Sequence, residues 1–375
     1  MTEFYVPEVL SGDAIVAEAS SLSARKKVQS QRYLEGVNEA AKLYGRVVKG
    51  DRRAAIDMSE ALTTSDFPIL LGGVFDRELL ARYEDIQPVW PQFAKRTVVK
   101  DFRAKTFVDF LGGKGALDPV GQGAEYPAAS KTEKDYTITV GKFGRRFAIT
   151  WEDIVNDMLG GFKDLPGDLA QAASDTEDFL AASAIASKTG PNTDFFKAGN
   201  GNAVDTVPLT TDNLSAALTA ISSRKDPQGR PILVRGSVLV VPPSLEIKAL
   251  AILHASEIRQ TVGTETVISS NYLAGKVKLV VNPWLDVVDT SGTSKTSWYI
   301  LPDVTSPRYA ASLGFLAGHE VPDLRVSADG GNRVGGGAIA AEEGSFEDDT
   351  IQYRVRHVLG SATLEPIATY ASKGA

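Results

Sequence analysis

KDYTITVGKFGRRFAITWEDIV, residues 134–155, decides how the rest of the chain is read. Tyr136, Ile138 and Val140 share one strand parity, and Phe143, Phe147, Ile149 and Trp151 share the other. Such alternation marks an extended strand whose faces meet different surroundings. The parity switches at Gly141, and a one-residue slip at a glycine predicts a β-bulge that bends the strand. The stretch then passes without a loop into WEDIV. Thr150 stands ahead of it with Asp153 three residues on, a capping box with aspartate in place of glutamate.

Upstream lies TVVKDFRAKTFVDF (97–110), rich in β-branched and aromatic residues and read as extended. Between the two extended pieces sits GGKGALDPVGQGAEYPAASK (112–131), whose glycines and prolines argue against a packed core. The two pieces are expected to pair as a long, twisted hairpin with a wide tip, hinged at Gly112, Gly113 and Gly141. Downstream, Gly160, Gly161 and Pro166 interrupt the helix, and Pro166 suits the first turn of a new one. Leu169, Ala172, Ala173, Thr176, Phe179, Leu180 and Ile185 form its expected buried stripe. Asp168, Asp175, Glu177 and Asp178 form its expected solvent face.

Before this core, residues 11–58 are polar and alanine-rich. Leu34, Val37, Ala41, Tyr44 and Val48 recur at helical spacing, weakened by Gly36 and Gly45. A basic cluster, ARKKVQSQR (24–32), precedes them. It reads first as a solvated helix face, with Arg25, Lys26, Lys27 and Arg32 the candidates for contact with a polyanion or scaffold. The region is expected to be an arm. Pro68, Gly72 and Gly73 punctuate TTSDFPILLGG (63–73), after which Phe75, Leu79, Leu80 and Tyr83 suggest a short amphipathic helix.

Beyond residue 206, LTTDNLSAALTAISSR (209–224) is a capped helix. GSVLVVPPSLEIKALAIL (236–253) is a buried strand, a proline turn and a helix. GKVKLVVNPWL (275–285) and SWYILP (297–302) are further strands. Strands separated by helices imply a compact α/β lobe. DDTIQYRVRHVLGSATLEP (348–366) alternates Ile351, Tyr353, Val355 and His357 against Gln352, Arg354 and Arg356.

Composition narrows the chemistry. The 375 residues carry a net charge of −7 and no cysteine. Thiol nucleophiles, disulfides and thiolate metal sites are excluded, and a dedicated nucleic-acid binder is disfavoured. No secretory signal is evident at the start, and the apolar run at 238–243 is far too short to cross a bilayer. His254, His319 and His357 lack a second histidine at metal-ligand spacing. ADGGNRVGGG (328–337) lacks the strand and helix of a phosphate loop, and EEGSFEDD (342–349) lacks calcium-loop spacing and reads as an acidic turn. No catalytic, cofactor or metal residue is assigned. An arm, a hairpin and a long helix with little local core are expected to bury their apolar residues against other copies of the chain.

In the order and spacing of these stretches, above all VLVVPPSLEIKALAIL with NYLAGKVKLVVNPWL, and WYILP, GFLAGHEVPDLRV and DDTIQYRVRHVLGSATLEP, the chain resembles tailed-bacteriophage major capsid proteins of the Hong Kong 97-type fold. The resemblance implies an α+β fold with an N-terminal arm (1–68), a first peripheral part (69–101) and an extended loop (102–135). A second peripheral part with the spine helix (136–205), an α/β axial domain (206–317) and returning peripheral strands with the C-terminal segment (318–375) complete it. It implies pentamers and hexamers that close into an icosahedral head around double-stranded DNA, in the virion and assembled in the host bacterial cytoplasm, with no membrane. Implied partners are portal and scaffold proteins, a maturation protease, decoration proteins and, by weak contact, the packaged DNA. On the loop, Phe107, Phe110, Leu117, Tyr126, Lys131 and Tyr136 become candidate subunit contacts. The alternatives are an encapsulin-like nanocompartment shell, or a soluble α/β enzyme with a non-linear active site.

Overall fold

The computed structural model describes residues 31–48, 51, 53–54, 57, 67–110, 120, 122, 133–150, 164–225, 237–262, 265–306, 308–327, 331–332, 338–339 and 350–374. The basic residues Arg25, Lys26 and Lys27, the loop residues Gly112, Gly113, Leu117, Tyr126 and Lys131, and the capping box at 150–153 beyond Thr150 lie outside them.

In chain order, helices α1 (Gln31–Val48) and α2 (Phe67–Asp85) come first. Strands β1 (Ala94–Val99), β2 (Lys105–Phe110), β3 (Glu133–Ile138) and β4 (Gly141–Thr150) precede helix α3 (Leu165–Ile185). Two short strands, β5 (Ala186–Ser187) and β6 (Gly190–Pro191), lead to α4 (Thr211–Ser222), β7 (Ser237–Val241) and α5 (Pro243–His254). Then follow β8 (Glu257–Val262), β9 (Glu265–Ser270), β10 (Lys278–Val281), α6 (Trp284–Val288), β11 (Trp298–Pro302), β12 (Ala311–Leu316) and β13 (Asp323–Val326). The chain closes with β14 (Gly331–Asn332), β15 (Ala338–Ile339), β16 (Thr350–Thr363) and β17 (Tyr370–Ser372).

The chain divides into two compact units. The first comprises Met1–Gln87, Gly141–Ser174 and Leu316–Leu359, and the second Pro88–Val140, Asp175–Phe315 and Gly360–Ala375. In the first, β16 pairs antiparallel with β13 on one side and with β4 on the other. Alternation in β16 aims Tyr353 and Val355 at a core shared with Val37, Ala40 and Tyr44 of α1, Val74, Phe75, Leu79 and Leu80 of α2, and Leu169 of α3. Each fully buried aliphatic or aromatic side chain there contributes about 1.5–3 kcal/mol. Tyr353 stacks on its cross-strand partner Phe147, with centroids 5.2 Å apart, and meets Phe75 edge-on at 6.0 Å. Thus α1, expected as part of an arm, is a component of this core, docked through Val37, Ala40 and Tyr44.

Helix α2 is longer than the sequence predicts, for it runs unbroken through Gly72 and Gly73. Pro68 falls in its first turn, where no N–H is missed. Gly72 lies under the Tyr353 ring, so that a methyl there would stand 3.4 Å from Cε1.

In the second unit, a mixed sheet in the order β10–β7–β11–β17 carries the α/β lobe. β10 is parallel to β7, and β11 is antiparallel to both β7 and β17. Buried Leu239, Val241, Trp298 and Ile300 pack with Leu214, Ala217 and Ile221 of α4 and Ala249 and Leu253 of α5. Thr210 caps α4, its hydroxyl accepting the Asn213 N–H at 3.2 Å. Pro243 opens α5 directly after β7, as the proline pair predicts. The last strand is held by side chains: the Tyr370 hydroxyl donates to Asp205 at 2.7 Å, and Arg224 donates to the carbonyls of Ile367 and Thr369 at 2.9 and 2.6 Å.

The expected single long hairpin is divided. β1 neighbours β12, β2 pairs only with β3 among the described residues, and β4 pairs with β16. Asp101 turns the chain between β1 and β2, its carboxylate accepting the Arg103 N–H at 3.2 Å. The parity switch at Gly141 therefore marks a change of strand partner, not a bulge within one hairpin.

Candidate assembly interface

The surfaces that face outward begin at the hairpin. β2 and β3 are in antiparallel register from Lys105↔Ile138 to Phe110↔Glu133, which places Phe107 opposite Tyr136. Its base is fixed within the second unit. Ile138 is 1% exposed and lies against Gly314, where a Cβ would stand 2.7 Å from Ile138 Cδ1. The Tyr136 hydroxyl donates to the buried Glu365 carboxylate at 3.2 Å. Gly360 lets the backbone at Thr139 pass close, since a methyl there would overlap the Thr139 carbonyl oxygen. Exposed Val98 and Phe102 flank this base, and Val120 beyond it is also exposed. Of the predicted loop contacts, Phe107, Phe110 and Tyr136 are thus carried on one ribbon, and Gly141 opens β4 opposite Leu359. Arg32 lies in the first turn of α1.

A second anchor was missed from the sequence. Glu177 and Asp178 of α3 are 1% and 6% exposed, not solvated, while Phe179 is 36% exposed. The Trp90 indole N–H donates to Glu177 at 2.7 Å, and Asp178 accepts the backbone N–H groups of Val89 and Trp90 at 3.1 and 2.7 Å. These bonds tie the chain just before β1 to the spine-like helix α3. Burial pushes the Asp178 carboxyl above the ordinary aspartate value, opposed by the two backbone N–H groups and assisted by neighbouring Glu177 and Asp175. No local pattern reveals this, because both donors come from a distant stretch of chain.

Further apolar side chains are exposed on the lobe: Ile247 of α5 at 76%, Ile268 of β9, Tyr272 and Val287 of α6, the helix whose Trp284 ring meets that of Phe179 edge-on at 5.9 Å. The β8–β9 hairpin was also missed. Its signal is the two-residue step Gly263–Thr264 between β-branched runs. Ile247 lies on the side of α5 that also carries exposed Ser244, Lys248 and His254, opposite buried Ala249 and Leu253.

A shallow depression of about 520 Å³ along α4 is lined by Asp212, Ser215, Thr219, Ser223 and Tyr272. Among the described residues no group of His, Asp and Glu is placed to hold a metal ion, and no helix is long and apolar enough to cross a membrane. His254 and His319 are exposed, whereas His357 is buried with its ring 6.0 Å from that of Tyr83.

The self-paired hairpin and the exposed apolar side chains on separate elements are the surfaces open to association. The chain belongs to the phage capsid protein family, whose family model matches residues 133–372. It is a phage major capsid protein, a subunit of an icosahedral shell with the Hong Kong 97-type α+β fold. It self-associates, its place is the virion capsid, and its family is a structural one. Comparison with curated proteins finds no match. Solved structures that it resembles include one from Gordonia phage Cozz, at 13% identity and a TM-score of 0.44 over 77% of this chain and 87% of that one. The capsid of cyanophage P-SCSP1u matches at 11% identity and 0.47, over 77% and 88%. The holo-SrpI encapsulin complex from Synechococcus elongatus PCC 7942 matches at 12% identity and 0.41, over 74% and 84%.

Proposed function

We propose that the chain builds its shell by laying residues 102–135 over a neighbouring subunit, within pentamers and hexamers that close around double-stranded DNA. The observation that carries this reading is the β2–β3 ribbon. Its base is pinned by Ile138, Tyr136 and the close approach at Gly360, yet its strands pair with nothing but each other among the described residues. A two-stranded ribbon alone is marginally stable in water, so a third surface must complete it. Phe107, Phe110, Leu117, Tyr126, Lys131 and Tyr136 are its contacts, and Gly112, Gly113 and Gly141 let its angle change. The first unit's sheet and helices serve as the peripheral part and the α/β lobe as the axial part, gathered around the symmetry axes. Arg25, Lys26, Lys27 and Arg32 face a scaffold or the enclosed DNA. The subunit performs no catalysis. Assembly takes place in the host cytoplasm, with portal, scaffold, protease and decoration proteins as its partners.

Negative-stain microscopy of the purified full-length chain tests this. Closed shells or capsomer rings are expected, while a monodisperse monomer at high concentration would overturn the reading. Nucleic acid within particles supports the phage head, and a packaged enzyme supports the encapsulin alternative.

A further inference from the structure

The strands β4, β16 and β13 of the first unit have one face on the core and one turned outward. Tyr353, Val355 and Leu324 point into the core, so the alternate positions of the same strands point away from it. Those positions hold Lys142 and Arg146 on β4, Arg354 and Arg356 on β16, and Arg325 with Asp323 on β13. The register sets Arg325 directly opposite Arg354, and Arg354 directly opposite Arg146. With strands about 4.8 Å apart, three arginines stand in a row about 10 Å long. Arg146, Arg354 and Arg325 are all exposed. Like charges in direct cross-strand register are destabilising. The carboxylate on these strand positions, Asp323, is shared between Arg325 at 2.8 Å and Arg356 at 3.1 Å. Arg146 reaches Gln352 at 3.5 Å. The face is therefore strongly cationic, in a chain whose net charge is −7.

Planar guanidinium groups in a fixed row suit a ligand that presents several carboxylates in succession. The chain carries such a ligand. Residues 342–349, EEGSFEDD, hold Glu342, Glu343, Glu347, Asp348 and Asp349, matching the cations of the sheet face in number and opposing them in sign. We propose that the arginine row Arg146–Arg354–Arg325 docks the acidic run 342–349 of a second copy of the chain. This rests on the reading of the chain as a shell subunit and names one contact by which neighbours recognise each other. The pairing offsets cross-strand repulsion in one copy and carboxylate crowding in the other, and it fixes register between like-charged subunits. Packaged DNA is the less favoured occupant, because an acidic subunit repels a polyanion at long range and the acidic run is already present in every copy.

The test uses full-length chains, with wild-type assembly as the control for the shell reading itself. Arg146→Glu/Arg354→Glu in one chain, and Glu347→Arg/Asp348→Arg in another, are each expected to lower the assembled fraction by about tenfold or more, the change that 1.4 kcal/mol produces. Mixing the two variants is expected to restore particles containing both, because each supplies what the other lacks. Joining all four changes in one chain is expected to restore assembly as well. Circular dichroism of the unassembled subunits verifies folding, and Arg146→Gln/Arg354→Gln replaces a variant that does not fold. Unchanged assembly of the single-sided variants would overturn the proposal, as would rescue within one chain but never by mixing, which assigns the contact to the same copy. Normal shells with altered DNA content would overturn it in favour of a DNA-facing surface.

Discussion

At the scale of single residues, the bonds that matter most join groups far apart in sequence. Glu177 is nearly inaccessible and takes the Trp90 indole N–H at 2.7 Å. A hydrogen bond to a charged group contributes about 1.5–3 kcal/mol when buried. A double-mutant cycle of Trp90→Phe and Glu177→Gln, followed by urea denaturation of the unassembled subunit, is expected to show a coupling energy of about 1–2 kcal/mol. Additive losses would deny the bond its role. Asp178 adds a pH signature. Its carboxyl is held above 3.8 by burial, so the folded state binds more protons than the unfolded one within that window. The contribution of Asp178 is therefore complete below 3.8 and is lost as pH rises through the elevated value. Relative to Asp178→Asn, the wild-type subunit should lose stability as pH rises across the window, and parallel melting curves for the two would refute the assignment. Glycines divide by their surroundings. Gly45 in α1 has nothing within 4 Å of a would-be Cβ, so Gly45→Ala should raise stability by about 0.5–1 kcal/mol. Gly360→Ala should lower it by about 1–3 kcal/mol, because the added methyl displaces the Thr139 backbone at the base of the ribbon.

At the scale of elements, the ribbon separates folding from assembly. Its last described pair is Phe110↔Glu133, so replacing residues 111–132 by Asn-Gly joins the strands through the two-residue turn that suits their twist. The shortened chain should melt within a few degrees of the full one and form no shells by sedimentation, whereas normal shells would show that the tip is not a contact. The same elements show what the sequence could and could not disclose. The β7–Pro242–Pro243–α5 unit was legible because proline fixes both the end of the strand and the first turn of the helix. The β16 alternation was legible because its two faces meet a core and an open side. The parity switch at Gly141 was visible, but its meaning was not, since only the partners of β3 and β4 reveal that the strand changes sheets there. Glu177 and Asp178 had the spacing of a solvent face, and only Trp90, brought in by tertiary structure, makes that face an interior one. Gly72 read as a break because the Tyr353 ring that rewards a missing side chain is remote in the chain. For the candidate contacts, the ribbon could be read from composition, while exposed Ile247 could not, because a single isoleucine among Ser244, Lys248 and His254 does not say which side of α5 the core covers.

At the scale of the whole molecule, a shell subunit differs from an ordinary globular protein in where its stability resides. Each copy repeats the same contacts many times, so a small change per contact is multiplied across the particle, while the isolated subunit scarcely registers it. Ile247 is suited to test this, because at 76% exposure it contributes little to the fold of its own chain. Ile247→Asp should alter the stability of the unassembled subunit by no more than about 0.5 kcal/mol, the usual range for surface substitutions. In the shell, a loss of about 1.4 kcal/mol at one contact corresponds to a tenfold weaker contact, and charge buried against an apolar neighbour costs at least that much. The concentration at which shells first appear, read by light scattering across a dilution series, should therefore rise by about tenfold or more while the melting temperature of the subunit holds. A lower melting temperature with an unchanged threshold would place Ile247 in the subunit's own fold, contrary to its exposure. An unchanged threshold with unchanged melting would mean that the exposed side of α5 faces solvent in the finished shell and that the contacts of the lobe lie elsewhere, at Ile268, Tyr272 or Val287.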